Sequence, residues 1–365
     1  MGMTALGLLH PLGDSTLQGA ACLALAVLVA LLVDRLWGEP PARWHPVVWV
    51  GRALDALGQR MAPTGPTARD LKGFWLAALA WCALAALVLI VASSLQALVL
   101  GALPPVRQPA SAALHAWLGG PGVDMAVVLH AAQWLLTALL LGVLLKPLLA
   151  LALLQSEVSA VEAALAESLD AGRARLAWLV SRDVAQLSSE EVRQSAIESL
   201  AENLNDSVVA PLFWFVLLGL PGAALYRFAN TADAMWGYPG LRGGRYWQWV
   251  GKWAARADDV LSWLPARLTA LLLALVAGGV PLRTLAQEAR KTPSPNSGWP
   301  MAAMALALDV RLSKPGAYCL HADGQTPMAH DAAYAQALVS KVALALVLIA
   351  LTAIFLIVIE VLRHG

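Results

Sequence analysis

Residues 74–106 read FWLAALAWCALAALVLIVASSLQALVLGALPPV and contain no Asp, Glu, Lys or Arg. A bilayer core of about 30 Å is crossed by about 20 apolar helical residues, so this stretch is expected to be a membrane helix. Working outward, the runs 15–33, 125–145, 207–226 and 342–359 are also free of these charges, and 268–282 is a shorter run extended by an apolar flank from Val260. The expected fold is all-α: a polytopic integral membrane protein of five to six membrane helices, some re-entrant, plus amphipathic cytoplasmic helices, forming one membrane-embedded domain over residues 1–365. Composition agrees, with 59% hydrophobic and 13% charged residues against about 25% charged in soluble domains. The 25 Lys and Arg against 24 Asp and Glu leave a net charge of +1. No cationic excess is present to hold a polyanion, so membrane lipid is an expected partner and nucleic acid is not. Cys22, Cys82 and Cys319 are too far apart for a disulfide framework or a CxxC metal site and are expected to be buried thiols.

Basic residues set the expected topology. Segment 34–72 carries Arg35, Arg43, Arg52, Arg60, Arg69 and Lys72, whereas 102–124 carries only Arg107 and the first 16 residues carry none. Segment 34–72 is therefore expected in the cytoplasm, and two further crossings return 155–206 there, flanked by Lys146. The first run lacks a preceding positive residue and ends in Asp34-Arg35, which suits a retained anchor rather than a cleaved signal. Segment 227–259 is also basic, and a full crossing by 207–226 would place it outside. Pro211, Gly219, Pro221 and Gly222 interrupt that run, so 207–226 and 262–280 are expected to be re-entrant or broken, keeping 227–259 and 283–340 cytoplasmic.

Four polar segments could carry chemistry. The first, DRLWGEPPARWHP from Asp34 to Pro46, joins an interfacial charge pair and tryptophans to a proline-rigid loop. That loop would hold Asp34 and His45 in defined places, although a lone histidine is ordinarily a structural hydrogen-bonder. In the second, Ser188 and Glu191 have capping-box spacing. At 100° per residue, Ser195, Glu198, Ser199, Glu202, Asn205 and Asp206 then share one arc, with Val192, Ala196, Leu200 and Leu204 on the other side. A solvated acidic face is the ordinary reading of such an arc. Here it runs into the charge-free segment at Ser207, where a carboxylate needs a cation or a hydrogen-bonding substrate. Carboxylates at i and i+4 suit Mg²⁺, and Arg182-Asp183 upstream supplies a guanidinium able to grip phosphate. In the third, Asn230 and Asp233 stand one turn apart ahead of Tyr238, while Asp258 or Asp259 is expected to cap the following helix. The fourth, PSPNSGWP from Pro293 to Pro300, is a rigid loop beside Arg290 and Lys291. Ser294, Asn296 and Gly298 could form a phosphate cradle there at a helix N-terminus. GxxxxGK[ST], GxGxxG, HExxH and GxSxG motifs are absent, as is any evident internal repeat.

Together the four segments resemble the adenosylcobinamide-phosphate synthases of cobalamin biosynthesis, the CobD/CbiB family, from about residue 30 to 320. The resemblance rests on Asp34 with GEPPARWHPV, on RDVAQLSSEEVRQSAIESLAENLNDSVVAPLFW, on NTADAMWGY with ARADDVLSWLPARLTALL, and on SPNSGWPMAAMALALDVRL. It implies a membrane enzyme that joins adenosylcobyric acid to (R)-1-amino-2-propanol phosphate, or an ethanolamine analogue, through an amide bond. ATP is the expected energy source and Mg²⁺ its cofactor, and other membrane-bound cobalamin-assembly enzymes are expected partners. On this reading the catalytic candidates are Asp34, His45, Asp183 and Glu198. Glu198, Glu202 and Asp206 are the metal-ligand candidates. Substrate contacts would come from Arg182, Ser195, Asn203, Asn230, Asp233, Tyr238, Ser294, Asn296 and Gly298. The alternative from another class is a membrane transporter or sensor that binds a corrinoid or cationic solute with the same carboxylates.

Overall fold

A computed structural model describes residues 14–67, 69–101, 125–180 and 183–364. Arg182 and the segment 102–124 lie outside the described residues. Helices dominate: α1 (Asp14–Trp37), α2 (Pro46–Met61), α3 (Leu71–Gly101), α4 (Met125–Leu145), α5 (Leu151–Glu167), α6 (Leu169–Leu176), α7 (Ser189–Leu204), α8 (Ala210–Trp236), α9 (Lys252–Val276), α10 (Leu282–Ala289), α11 (Gly298–Leu308) and α12 (Ala329–His364). Two short antiparallel hairpins, β1–β2 (Leu241–Arg242, Arg245–Tyr246) and β3–β4 (Leu312–Lys314, Tyr318–Leu320), complete the described secondary structure.

Six helical stretches among the described residues are long and apolar enough to cross a membrane: Gly19–Trp37, Leu71–Gly101, Ala131–Glu167, Ser189–Trp236, Lys252–Val276 and Ala329–Glu360. Their limits correct the sequence-based ones, because helices run on past the charge-free runs. Ala131–Glu167 passes through a 3₁₀ turn at Lys146–Leu148, and Ser189–Trp236 joins the acidic arc to the following apolar segment. The interruption expected in 207–226 is present, whereas the one expected in 262–280 is not: α9 runs unbroken through Pro265 to Val276. Asn205–Val209 forms a π turn, and Gly219 breaks α8 at φ 70°, ψ −160°, two residues before Pro221. Gln96 of α3 repairs that break, its side-chain oxygen accepting from the Leu220 amide at 2.8 Å. A buried backbone N–H would otherwise lack a partner.

The chain sorts into two compact units, each discontinuous in sequence. Unit one comprises residues 1–149, 211–255 and 346–365; unit two comprises 150–210 and 256–345. In unit one α4 lies closely on α1 because Gly142 has no side chain: a Cβ there would sit 2.6 Å from Val29 and 2.7 Å from the Ala26 carbonyl. In unit two, Arg193 on α7 grips Glu162 on α5 with two parallel bonds of 2.8 and 3.0 Å. Gln155 and Ser159 of α5 bond Ser340 and Gln336 of α12.

Cys22 is buried, Cys319 is half-buried, and Cys82 is exposed. The expectation of three buried thiols holds at Cys22 and fails at Cys319, which is half-buried in the β3–β4 hairpin, and at Cys82, where an apolar residue on a membrane helix can face lipid instead of protein. Asp258 and Asp259 lie in the second turn of α9 rather than at its start, so neither is its N-cap.

Candidate functional site

In unit one the loop leaving α1 builds a chain of four ionisable groups. Asp34, at the end of α1, is fully buried, and its Oδ1 is 3.0 Å from Lys146 Nζ in the 3₁₀ turn after α4. Lys146 Nζ is also 2.9 Å from Glu39 Oε1, and Glu39 Oε2 is 3.0 Å from His45 Nε2. Burial acts to raise the Glu39 carboxyl, but hydrogen bonds from His45 and Lys146 and their charges outweigh it. The result lies below the ordinary carboxylate value. His45 precedes α2 with Pro46 at the first helical position and makes no side-chain cap. Nδ1 is buried with no hydrogen-bond partner among the described residues, and in the neutral tautomer that donates Nε2–H to Glu39 it would carry the lone pair. Asp34 and His45 are thus brought into one network. Glu39 and Lys146, which join them, were not among the sequence candidates, although a lone lysine between two apolar stretches was a usable signal.

The third segment lies on the C-terminal half of α8. Asn230 accepts from Arg227 at 3.3 Å, Asp233 is half-buried one turn further on, and Tyr238 lies under the Arg242 guanidinium at 5.1 Å.

In unit two the capping box forms as expected. The Ser188 hydroxyl accepts from the Glu191 amide at 3.2 Å, and the Glu191 carboxylate accepts from the Ser188 amide at 2.7 Å. The arc it launches is largely buried: Ser195 and Glu198 are each 1% exposed, Ser199 and Asn205 are buried, and Glu202 and Asp206 are half-buried. The Ser195 hydroxyl finds no partner among the described residues. Asn203 turns its amide back onto Ser199, at 2.9 Å to the carbonyl and 3.2 Å to the hydroxyl. Asn205 donates to Asp206 at 2.7 Å and accepts from Thr269 of α9 at 3.1 Å. Asp183, in the turn before α7, is exposed and accepts from the Ala185 amide at 2.9 Å.

Glu198, Glu202 and Asp206 are not gathered as a metal centre. Eight residues of helix separate the first from the last by about 12 Å, and the π turn at Asn205 interrupts the register between them. Among the described residues no three His, Cys, Asp or Glu side chains are placed to hold a metal ion. Among the described residues the three do not form a ready-made clamp, whereas Glu198 and Glu202, i and i+4 on unbroken helix, share one face.

The fourth segment is a structural clamp in which the polar groups of the expected phosphate cradle are used internally. Ser294 Oγ accepts from the Asn296 and Ser297 amides at 3.2 and 3.3 Å. Asn296, 4% exposed, accepts from Arg267 at 3.1 Å and donates to the Asp259 carbonyl at 2.7 Å. Gly298 allows close approach to protein rather than to ligand, since a Cβ there would meet the Ala289 carbonyl at 2.1 Å. Arg267 itself lies between the rings of Trp263 and Trp299, at 4.3 and 4.8 Å. Sequence reasoning missed it, though it is the one cation between Arg256 and Arg283.

The sequence signature of the CobD/Cbib protein family matches residues 27–349. The chain belongs to the CobD/Cbib family. It is 36% identical over 300 residues to the probable cobalamin biosynthesis protein CobD of Methanothermobacter thermautotrophicus, covering 80% of this chain and 85% of that one. The cobalamin biosynthesis protein CobD of Chromobacterium violaceum is 40% identical over 293 residues, 79% of this chain and 81% of its own. The probable CobD of Methanothrix thermoacetophila is 33% identical over 342 residues, 91% and 96% respectively. No solved structure matches.

Proposed function

We propose that this member of the CobD/Cbib family is the amide-forming synthase that joins adenosylcobyric acid to (R)-1-amino-2-propanol phosphate, giving adenosylcobinamide phosphate. The observation that carries the reading is the family match over 27–349, which takes in all four polar segments. The burial of Glu198 to 1% exposure within one of them supports it, because a carboxylate held in an apolar setting is more often chemical than decorative.

Amide formation from a free carboxylate runs uphill in water, so activation is required. The substrate carboxylate attacks the γ-phosphorus of ATP, releasing ADP and leaving an acyl phosphate. The amine then attacks the acyl carbon, loses its proton to a base and expels phosphate. His45 is the base candidate in unit one, through Nδ1. Asp183 is the candidate in unit two, and Arg182 suits the phosphate of the amino alcohol. Mg²⁺ belongs to this reading as the counter-ion of the nucleotide phosphates, whose negative charge it neutralises. Glu198 and Glu202, i and i+4 on the unbroken helix of α7, are the neighbouring pair that would hold it. The basic residues of 34–72 favour an active site facing the cytoplasm at the inner membrane, in company with other membrane-bound cobalamin-assembly enzymes.

The test incubates the detergent-purified protein with adenosylcobyric acid, ATP, Mg²⁺ and aminopropanol phosphate, following corrinoid mass and ADP together. A corrinoid heavier by the amine minus water, with stoichiometric ADP, is the expected result. Tight corrinoid binding without product overturns the synthase and favours a transporter or sensor, a reading with which the break of α8 at Gly219 is compatible.

A further inference from the structure

Unit one contains a cleft of about 510 Å³ between α2, α3, α8 and the turn after α4, within the range of about 300–1,000 Å³ typical of ligand sites. Its long walls run along α3 from Leu84 to Leu95 and along α8 from Leu220 to Thr231. Each stretch rises about 16 Å, close to half of a hydrocarbon core of about 30 Å, the depth of one leaflet. The Leu220 end is closed where Gln96 bonds the Leu220 amide. The side wall is open, since Leu87 and Val91 are 55% and 49% exposed on a helix apolar enough to cross the membrane. Trp44 and Trp49 also line the cleft and are themselves exposed, as tryptophans at the level of lipid headgroups are. Arg227 is the single charged lining residue, four positions from Thr231.

We propose that this cleft holds one acyl chain of a membrane phospholipid, with the phosphodiester on Arg227. From Arg227 to the closed end at Leu220 the cleft runs about 10 Å of helix, room for the part of one acyl chain nearest the headgroup; the walls are apolar and laterally open, and the one charge is a guanidinium, whose planar fork matches phosphate. A corrinoid fits poorly, because its amide side chains would lie against aliphatic walls without hydrogen-bond partners. The proposal does not rest on the synthase reading, although the cleft adjoins its candidates: Trp44 and Pro46 flank His45, and Arg227 donates to Asn230.

Native mass spectrometry of the detergent-solubilised full chain, titrated with phosphatidylglycerol, tests it. One lipid is expected to stay bound, diacylglycerol to bind about tenfold more weakly, and Arg227→Leu to lose the same factor for phosphatidylglycerol only. Ala224→Trp, which fills the cleft, and Val91→Trp, at an exposed lining position that does not burden folding, are each expected to abolish retention. Equal retention by wild type and both tryptophan variants overturns the site, and so does displacement of the lipid by cobinamide at one equivalent. Equal binding of diacylglycerol and phosphatidylglycerol overturns the role of Arg227.

Discussion

Two regions, one in each unit, hold their polar groups in different ways. Around Asp34 the partners are charges: a carboxylate, an ammonium, a second carboxylate and an imidazole in sequence, with Lys146 joined to Glu39 across 107 positions of chain. Around Asn205 and Asn296 they are largely neutral amides, hydroxyls and carbonyls, anchored by the single guanidinium of Arg267. The contrast teaches that a buried ionic chain depends on every member, because removing one leaves another charge uncompensated. A neutral network loses only the bond that is cut.

Lys146→Met is expected to have the largest effect on the ionic chain. It strands Asp34, 0% exposed, and is expected to destabilise unit one by about 3–5 kcal/mol. Thermal unfolding in detergent would show it, with Asp34→Asn in the same chain restoring most of the loss. Stability unchanged by Lys146→Met would remove the ionic chain as a structural element.

Glu202→Gln comes next in size and reads chemistry rather than folding. Turnover is expected to fall at least a hundredfold, about 2.7 kcal/mol, with expression and membrane insertion unchanged. Substantial activity in steady-state assays would release Glu202 from any role at the nucleotide.

Arg267→Ala removes two ring contacts and the bond to Asn296 and is expected to cost about 1–3 kcal/mol. A melt as large as that of Lys146→Met would erase the distinction between the two regions. The smallest effect is titration of Glu39. Its folded-state carboxyl lies below its ordinary value of 4.5, so its contribution is complete above that value and fades as pH falls through the lower folded one. Wild type is expected to lose stability below about pH 4.5 more steeply than Glu39→Gln, which unfolding midpoints measured across that range would show.

Much of the fold was legible because hydropathy and helix signals are local. The membrane helices, the Ser188–Glu191 capping box and the interruption near Gly219 were all read from neighbouring residues, and the four motifs carried the family. The helix limits were less legible, since a charge such as Asp34 or Lys146 ends an apolar run without ending a helix when a partner lies nearby. At the site, Glu202 and Asp206 were read as the carboxylates needing a partner where the arc meets the apolar segment, yet Glu198, one turn earlier, is the one the fold buries. Gly298 was misread because its small size serves packing on Ala289, and only tertiary contacts distinguish that from room for a ligand.

By itself, then, the sequence determined that the chain is helical, membrane-embedded and of this family, because those properties are sums over adjacent side chains. The tertiary structure alone decided that Lys146 answers Asp34 and Glu39, that Arg267 holds Asn296, and that Asp206 departs from the register of Glu198 at a π turn. Pairing energies depend on distance through space, and no local pattern in the chain encodes which distant residue comes within 3 Å.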